Sequence, residues 1–313
     1  MKDKMNPKGT ISGKKVLVVG ELLVDIISDQ NIESLAFAAQ FSTNQGGSSA
    51  NLCANLKWLG VDAELVASVG NDNLGTFLIN ELQTVGIANT YINLSTDRQT
   101  SIVLVAKNEH TPDFIPYRSA DLDIKQVDDQ AIEGATIIHS TAFALSKEPA
   151  RGSILTAFQK ARDMGKFISI DWNFAPSIWH TDDGKVIFNE VMALAPLLKI
   201  SVDDLQRFVG APLSIEQSIE WLNSLQAEVI CLTCGKDGVW YKTKSEAWKH
   251  EQALAVEKAV GVTGAGDAFW SGFLSAFIQE KSIDKCVVRA LEVAKMKIEK
   301  PNPLYKIKLL TNY

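Results

Sequence analysis

An aspartate follows a turn of small residues late in the sequence. Gly264, Ala265 and Gly266 precede Asp267, and an apolar run with helical spacing starts at Phe269. This pattern predicts a tight turn that leads into a helix, whose first N–H groups have no acceptor within the helix. A helix N-terminus carries about half a positive charge, so the turn would bind an anion, most naturally a phosphate. Asp267 would then take a proton from a second reactant beside that phosphate.

A second glycine turn, with a polar residue just after it, enters a helix near residue 50. Gly46 and Gly47 precede Asn51, and apolar residues then recur at helical spacing as far as Leu59. Asn51 leaves room for a ligand, although tight packing alone would also explain the glycines. Asp25 lies in an otherwise apolar run, and a carboxylate is costly to bury without a partner. We favour a bound ligand over solvent as that partner.

The composition excludes several classes of function. The chain has 313 residues, of which 46% are hydrophobic and 22% charged, as in soluble globular proteins. A net charge of −6 gives no electrostatic reason to expect a nucleic acid or an anionic membrane as partner. The first 13 residues lack the apolar core of a signal peptide, and no run approaches the roughly 20 apolar residues of a membrane span. We therefore expect a cytoplasmic protein.

The cysteines and histidines do not form a recognisable metal motif. Cys231 and Cys234 make a C-x-x-C pair within or just after an apolar strand, without a second pair. No histidine lies close in sequence to complete a zinc site, so a structural role is favoured over metal or redox chemistry. His139 follows an apolar strand and is either part of a site or a satisfied buried histidine.

The elements that position these residues alternate between strands and helices. Strands are predicted at Lys14–Gly20 and Val61–Val69, and an amphipathic helix at Leu74–Val85. The alternation resumes at Thr136–His139 and continues to the strand Glu228–Thr233. This rhythm predicts an α/β fold with a doubly wound, mostly parallel sheet and helices on both faces.

A different pattern interrupts that rhythm. Thr100–Lys107 and Phe114–Arg118 are short and alternating, which predicts a hairpin. With residues 22–45 they would form a small inserted antiparallel sheet, made by about 22–45 and 97–120, within one domain spanning residues 1–313. The exposed edges of such an insertion would suit a homodimer contact.

Polar residues follow the predicted parallel strands. Ligands of open α/β sheets bind beyond the carboxyl ends of the strands, so these residues predict one shared site. The sequence has neither G-x-x-x-x-G-K-[ST] nor a G-x-G-x-x-G after its first strand, which excludes a P-loop and leaves a dinucleotide-binding interpretation without its motif.

Several motifs together resemble those of the ribokinase-like, PfkB-type carbohydrate kinases. Val262–Phe269 (VTGAGDAF) resembles the C-terminal signature of that family, and Gly46–Asn51 with Leu59-Gly60 resembles the N-terminal one. Gly20–Asp25 is similar to the opening of fructokinases and 2-keto-3-deoxygluconate kinases. Three further segments match in the expected order: Asp171-Trp172-Asn173, Lys199–Asp204 as the K-x-N/S-x-x-E step, and Thr233–Gly238 as the T-x-G-x-x-G nucleotide loop.

The resemblance implies a role for each of these residues. Asp267 would be the general base on the sugar hydroxyl, ionised at neutral pH on its ordinary pKa, and the N–H groups of Gly264, Ala265 and Gly266 would form the anion hole. The substrate-binding residues would be Asp25, Gly46, Gly47, Asn51, Arg118 and Asn173. ATP would be bound by Ser201, Thr233, Gly235, Gly238 and Thr263, with Asp204 holding Mg²⁺ through water. The inserted sheet would be a lid that excludes water.

Three departures from the family pattern bear on the substrate and ions. Gly261 and Val262 stand where the family commonly has aspartate and threonine, which argues against activation by K⁺. Ala175 stands where kinases of this group often carry arginine, so a neutral sugar is favoured over a sugar acid. Asp204 is one methylene shorter than the usual glutamate.

The resulting prediction is an ATP-dependent kinase of a small sugar, with fructose as the favoured acceptor. Kinases of 2-keto-3-deoxygluconate, ribose or a nucleoside are alternatives within the family. A non-catalytic sugar- or nucleotide-binding protein is the alternative of another class, motivated by Gly261, Val262 and Ala175.

Overall fold

The computed structural model describes residues 13–107, 113–179, 183–300 and 303–306. The strands are β1 (Lys15–Val19), β2 (Leu23–Ser28), β3 (Phe41–Gly46), β4 (Asp62–Gly70), β5 (Ile92–Ser95), β6 (Ile102–Val105), β7 (Phe114–Tyr117), β8 (Ile137–Thr141), β9 (Phe167–Asp171), β10 (Leu197–Ser201), β11 (Val229–Thr233), β12 (Val239–Thr243) and β13 (Lys249–Glu251). The helices are α1 (Ser48–Trp58), α2 (Asn73–Thr84), α3 (Asp129–Gly134), α4 (Ala142–Leu145), α5 (Ala150–Asp163), α6 (Asp183–Ala193), α7 (Val202–Val209), α8 (Ile215–Asn223), α9 (Ala265–Phe277) and α10 (Ile283–Ile298).

The large sheet is parallel except at one edge. Within the described residues its order is β13-β12-β11-β10-β9-β8-β1-β4-β5, and only β12 and β13 run antiparallel to their neighbours. Side chains of β1 alternate between two cores, because successive residues of a strand point to opposite faces. Val16 and Val18 join the core that contains Phe273 of α9, and Leu17 joins the core that contains Phe158 of α5. Helices therefore cover both faces, which confirms the doubly wound α/β prediction.

A small four-stranded sheet has the order β3-β2-β6-β7. The β6–β7 hairpin is antiparallel as predicted, and so is the β2–β3 pair. The central pair differs from the expectation, because β2 and β6 run parallel. β2 follows β1 in the chain and β6 follows β5, and β1 and β5 run in the same direction within the large sheet. The strands of the small sheet lie at the positions predicted for the insertion, while the single-domain boundary stays a prediction.

None of the helices in the described ranges is long and apolar enough to cross a membrane.

Candidate active site

The two glycine turns of the sequence meet in space. Gly47 precedes α1 with φ +96°, and Gly264 precedes α9 with φ +78°, a backbone region that L side chains rarely adopt. Ser48 donates a hydrogen bond of 2.5 Å to one carboxylate oxygen of Asp267, and Asn51 Nδ2 donates one of 3.1 Å to the other. The first turns of α1 and α9 therefore hold the Asp267 carboxylate between them.

Asp25 approaches the same place from the small sheet. It lies on β2, and its carboxyl group lies so close to Gly46 of β3 that any side chain at position 46 would overlap it. Burial raises the pKa of Asp25 to about 7, and the nearby charges of Asp267 and Glu21 add to the rise. Two acidic side chains, Asp25 and Asp267, thus lie near enough to repel each other.

The environment of Asp267 suits a proton acceptor. Burial raises its pKa, while the hydrogen bonds from Ser48 and Asn51 oppose that rise, as do the charges of Lys199 and Lys297. This differs from the expectation that the residue keeps its ordinary pKa. A base whose pKa is raised toward the operating pH accepts a proton more readily.

The turn at Asp267 has three free backbone donors among the described residues. The N–H of Ala265 donates to the Val262 carbonyl at 3.0 Å, so this predicted anion-hole donor is already engaged. The N–H groups of Gly264, Gly266 and Asp267 have no acceptor in the described part of the chain, as expected at the start of a helix. Two of the three predicted donors, Gly264 and Gly266, are therefore free to bind an anion.

A buried ion pair supports this turn. Lys199 of β10 faces Asp171 of β9 in register, with its Nζ 2.9 and 3.0 Å from the two carboxylate oxygens. Burial opposes the charge on Lys199, but the attraction of Asp171, Asp204 and Asp267 outweighs it and raises the Lys199 pKa. A side chain on Gly266 would lie 3.0 Å from the Lys199 ammonium. Lys199 is thus a fixed positive charge beside the turn.

Neither member of that pair was assigned a role from the sequence. The available signal is a lysine within the otherwise apolar strand LLKIS, opposite an aspartate that ends the apolar strand FISID. An isolated charge in a doubly buried strand requires a partner.

Glu21 is a second buried acid without a sequence-assigned role. Its carboxylate accepts hydrogen bonds from the backbone N–H and the hydroxyl of Ser49, and from the hydroxyl of Thr141. A side chain on Gly47 would collide with the Glu21 carbonyl oxygen. Glu21 therefore fixes the start of α1 against the ends of β1 and β8, and it positions the glycine turn.

Arg118 does not join the predicted sugar-binding residues. Its Nη2 and Nε lie 2.6 and 2.8 Å from one oxygen of Asp121, and its Nη1 donates to Ser146 Oγ and to the carbonyl of Phe143. The guanidinium carbon lies 4.1 Å from the centre of the Phe143 ring. Because the Arg118 and Asp121 side chains are only 2% and 0% exposed, the charge of Arg118 is neutralised within the fold.

The carboxylate of Asp204, the predicted metal residue, also accepts hydrogen bonds from neighbouring side chains. Ser201 caps α7 by accepting from the Asp204 N–H at 3.0 Å, and its hydroxyl donates 2.5 Å to the Asp204 carboxylate. The other Asp204 oxygen lies 2.6 Å from Arg207 Nη2. Within the described residues, no group of three or more His, Cys, Asp or Glu side chains could hold a metal ion. Both oxygens of the Asp204 carboxylate thus already accept a hydrogen bond within the fold, and its contact with Mg²⁺ through water stays a prediction.

The remaining predicted nucleotide residues lie along the carboxyl ends of the strands. Thr233 pairs in register with Ser201 across β11 and β10. Gly235 and Gly238 form the turn between β11 and β12 with φ values of +57° and +88°, and Thr263 is exposed in the loop before α9. Asn173 Oδ1 accepts from the N–H of Phe143 at 3.1 Å, which ties the end of β9 to α4.

The environments of His139 and of the C-x-x-C pair indicate structural roles. His139 Nδ1 lies 2.8 Å from the Ser169 hydroxyl, and burial lowers the His139 pKa to about 3, so the ring is neutral. Burial raises the pKa of the Cys234 thiol to about 11 and also raises that of the fully buried Cys231. Both thiols therefore stay protonated, as a structural role requires.

Comparisons with known proteins show the family to which the chain belongs. The family model described as "pfkB family carbohydrate kinase" matches residues 13–308. The ATP-dependent 6-phosphofructokinase of Thermoanaerobacterium thermosaccharolyticum is 34% identical over 301 residues, which cover 94% of this chain and 91% of the relative. The fructokinase of Klebsiella pneumoniae is 29% identical over 285 residues, which cover 90% of each chain. The solved structure of Halothermothrix orenii fructokinase superposes with a TM-score of 0.78 at 32% identity, covering 91% of this chain and 98% of that one. The chain belongs to the pfkB family of carbohydrate kinases and is a sugar kinase.

Proposed function

We propose that this kinase transfers the γ-phosphoryl group of ATP to a hydroxyl of fructose, with Asp267 as the general base. The observation that carries the proposal is the position of Asp267, which lies in the first turn of α9 beside free N–H groups and faces Asp25. The names of the relatives support ATP as donor and a fructose-type acceptor.

The described residues account for the steps that a kinase must perform. Asp25 and Asn51 would orient the sugar by hydrogen bonds, with Gly46 and Gly47 leaving space for it. Asp267 would accept the proton of the attacking hydroxyl. The N–H groups of Gly264, Gly266 and Asp267 would stabilise the charge of the transferring phosphoryl group. Phosphoryl transfer needs mainly alignment and charge stabilisation, and this site offers both.

The ATP-binding residues are proposed from their positions at the carboxyl ends of the strands. These residues are Ser201, Thr233, Gly235, Gly238 and Thr263, while Asn173 stays a proposed substrate-binding residue. Mg²⁺ would accompany ATP and neutralise its phosphates. Since Asp204 is engaged by Ser201 and Arg207, we assign no protein ligand to that ion.

The charges at the acceptor side favour a neutral sugar. The two acids at this side, Asp25 and Asp267, repel an anionic acceptor, and Arg118 is neutralised by Asp121. Ala175 packs against the core instead of offering a positive charge. Fructose 6-phosphate is a second candidate, because the relative with 34% identity is named for that activity.

An acceptor panel tests this proposal. ADP release would be followed with fructose, fructose 6-phosphate, 2-keto-3-deoxygluconate, ribose and a nucleoside, each with Mg²⁺ and ATP. The proposal expects the highest kcat/KM with fructose. A preference for the sugar acid or the nucleoside would contradict it, and stabilisation by sugar and ATP without ADP release would favour a non-catalytic binding protein.

A homodimer formed through the small sheet is a separate proposal. Phe37, Phe41, Ile115 and Tyr117 expose large apolar surface on or beside its strands. A second copy of the chain would cover that surface. Analytical ultracentrifugation of the wild type and of a Phe37→Ser, Tyr117→Ser double variant tests this proposal. We expect the wild type to sediment as a dimer and the variant as a monomer. A monomeric wild type would refute the proposal.

A further inference from the structure

Lys297 lies against the turn that precedes Asp267. It is in the last turn of α10, which packs along α9, and its Cε is 3.5 Å from the point where a Cβ of Gly264 would lie. Gly264 has no side chain, so the lysine stem packs directly on the backbone of the turn. The ammonium group is therefore held beside the helix start that would receive a phosphate.

In the part of the chain that the structure describes, no acidic group forms an ion pair with this ammonium. Among the described residues, Lys297 has neither a side-chain hydrogen bond nor an ion pair, whereas Lys295 on the same helix lies 2.6 Å from Glu299. Lys297 is half-buried; burial lowers its pKa, and the charge of Asp267 only partly offsets this. A partly desolvated charge without a partner is costly, which indicates that an anionic ligand completes its surroundings.

The loop that approaches the turn is fixed to the same end of α10. The N–H of Val260 donates to the carbonyl of Ile298 at 2.9 Å, and the N–H of Glu257 donates to the carboxylate of Glu299 at 3.1 Å. Between this anchor and Gly264, the loop contains Gly261, Val262 and Thr263, none of which has a carboxylate. The loop therefore has no acidic side chain to hold a metal cation next to the turn.

We propose that the Lys297 ammonium supplies the positive charge beside the phosphate-binding turn, so that phosphoryl transfer needs no monovalent metal ion. The inference rests on the proposed function, because it requires the turn at Gly264–Gly266 to receive the transferring group. Lys297 acts on that group from behind the turn, and Lys199 acts from the side of the sheet. The two lysines differ in that Lys199 forms an ion pair with Asp171, while Lys297 has no ion-pair partner among the described residues and only the nearby charge of Asp267 acts on it.

The test compares Lys297→Met and Lys297→Arg with Lys300→Met, a matched change of an exposed lysine three residues further on. Each protein is assayed with the best acceptor of the panel, in potassium chloride and in tetramethylammonium chloride. We expect the wild type and Lys300→Met to have the same kcat in both salts. Loss of one charge-stabilising group costs about a hundredfold to a thousandfold, so kcat of Lys297→Met should fall by up to that factor with little change in the sugar KM. Lys297→Arg should keep most of the activity.

A Lys297→Ala variant adds a test that a purely structural role would not pass. Ammonium or methylammonium ions should restore part of its kcat, and tetramethylammonium should not. A kcat of Lys297→Met equal to that of the wild type would overturn the inference, as would a wild type that requires K⁺ or an equal loss in Lys300→Met. A wild type that phosphorylates no acceptor would overturn the proposed function itself, which is a distinguishable result.

Discussion

Ser48 and Asp267 are 219 positions apart in the sequence and are joined by a hydrogen bond of 2.5 Å from hydroxyl to carboxylate. Ser48 begins α1, and Asp267 lies in the first turn of α9. The bond links the two segments that resemble the N-terminal and C-terminal family signatures. It also stabilises the ionised form of Asp267, so it would set the pH range in which this residue acts as the proposed base.

Replacement of Ser48 by alanine should therefore shift the pH dependence of the reaction. Without the donated hydrogen bond, the pKa of Asp267 rises further, because its ionised form loses a stabilising contact. We expect the acid limb of the kcat profile to move upward by about half a unit to one unit, with activity at high pH largely retained. An unchanged acid limb would mean that another group sets it.

The Asp25→Asn variant should change the pH dependence of stability. Because burial raises the pKa of folded Asp25 to about 7, well above that of an ordinary aspartate, its contribution to stability is fully present below about pH 4 and is lost as the pH rises through about 7. The variant lacks this loss. At about pH 8 it should be more stable than the wild type by about 2 kcal/mol, allowing for the partial exposure of the side chain, and at about pH 4 the two should be alike. Urea unfolding at both pH values measures the difference, and an equal difference at both would contradict the account.

A side chain at position 46 should impair the sugar site more than the fold. The added methyl of Gly46→Ala would overlap the Asp25 carboxyl group and displace it. Displacement of a substrate-positioning group by about 1 Å costs up to about a hundredfold in turnover. We therefore expect kcat/KM for the sugar to fall by about tenfold to a hundredfold, while the KM for ATP stays within about twofold of the wild-type value. Gly134→Ala is the matched control, because Gly134 ends a surface helix with open space around it. Equal kinetic effects of the two variants would refute this role of Gly46.

Replacement of Arg118 should mainly destabilise the protein. Arg118→Met leaves the buried Asp121 carboxylate without its partner, which costs about 3–5 kcal/mol in buried pairs. The double variant with Asp121→Asn should recover part of that loss, and the folded fraction should bind sugar with nearly unchanged KM. A stable Arg118→Met protein with a strongly raised sugar KM would instead support the sugar contact predicted from the sequence.

The sequence was most informative where apolar periodicity is strong. The long amphipathic helix predicted at Leu74–Val85 is observed as α2 at Asn73–Thr84, within one residue at each end. The short elements β5 (INLS), α3 (DQAIEG) and α4 (AFAL) were not predicted, because four to six residues contain too little periodicity to separate strand, helix and turn. Their positions depend on packing against neighbours far away in the sequence.

In the candidate site, too, some features could be predicted from the sequence and others could not. Motif spacing placed Asp267, Gly46, Asn51 and Asp25 together, since each follows a strand or begins a helix at the carboxyl edge of the sheet. Motifs did not reveal that the charge of Arg118 is neutralised, although its partner Asp121 is only three residues away. The sequence contains the residues of such pairs, but only the tertiary arrangement decides which of them face the substrate.

The central claim is that Asp267 removes the proton from the acceptor hydroxyl. The most direct measurement is the kcat of Asp267→Asn, taken together with calorimetric binding of sugar and of ADP to the same protein. The account predicts a kcat lower by about a hundredfold to ten-thousandfold, because general-base catalysis contributes that much, with both dissociation constants within a few-fold of the wild type. An Asp267→Asn protein that binds both ligands normally and turns over at the wild-type rate would contradict it.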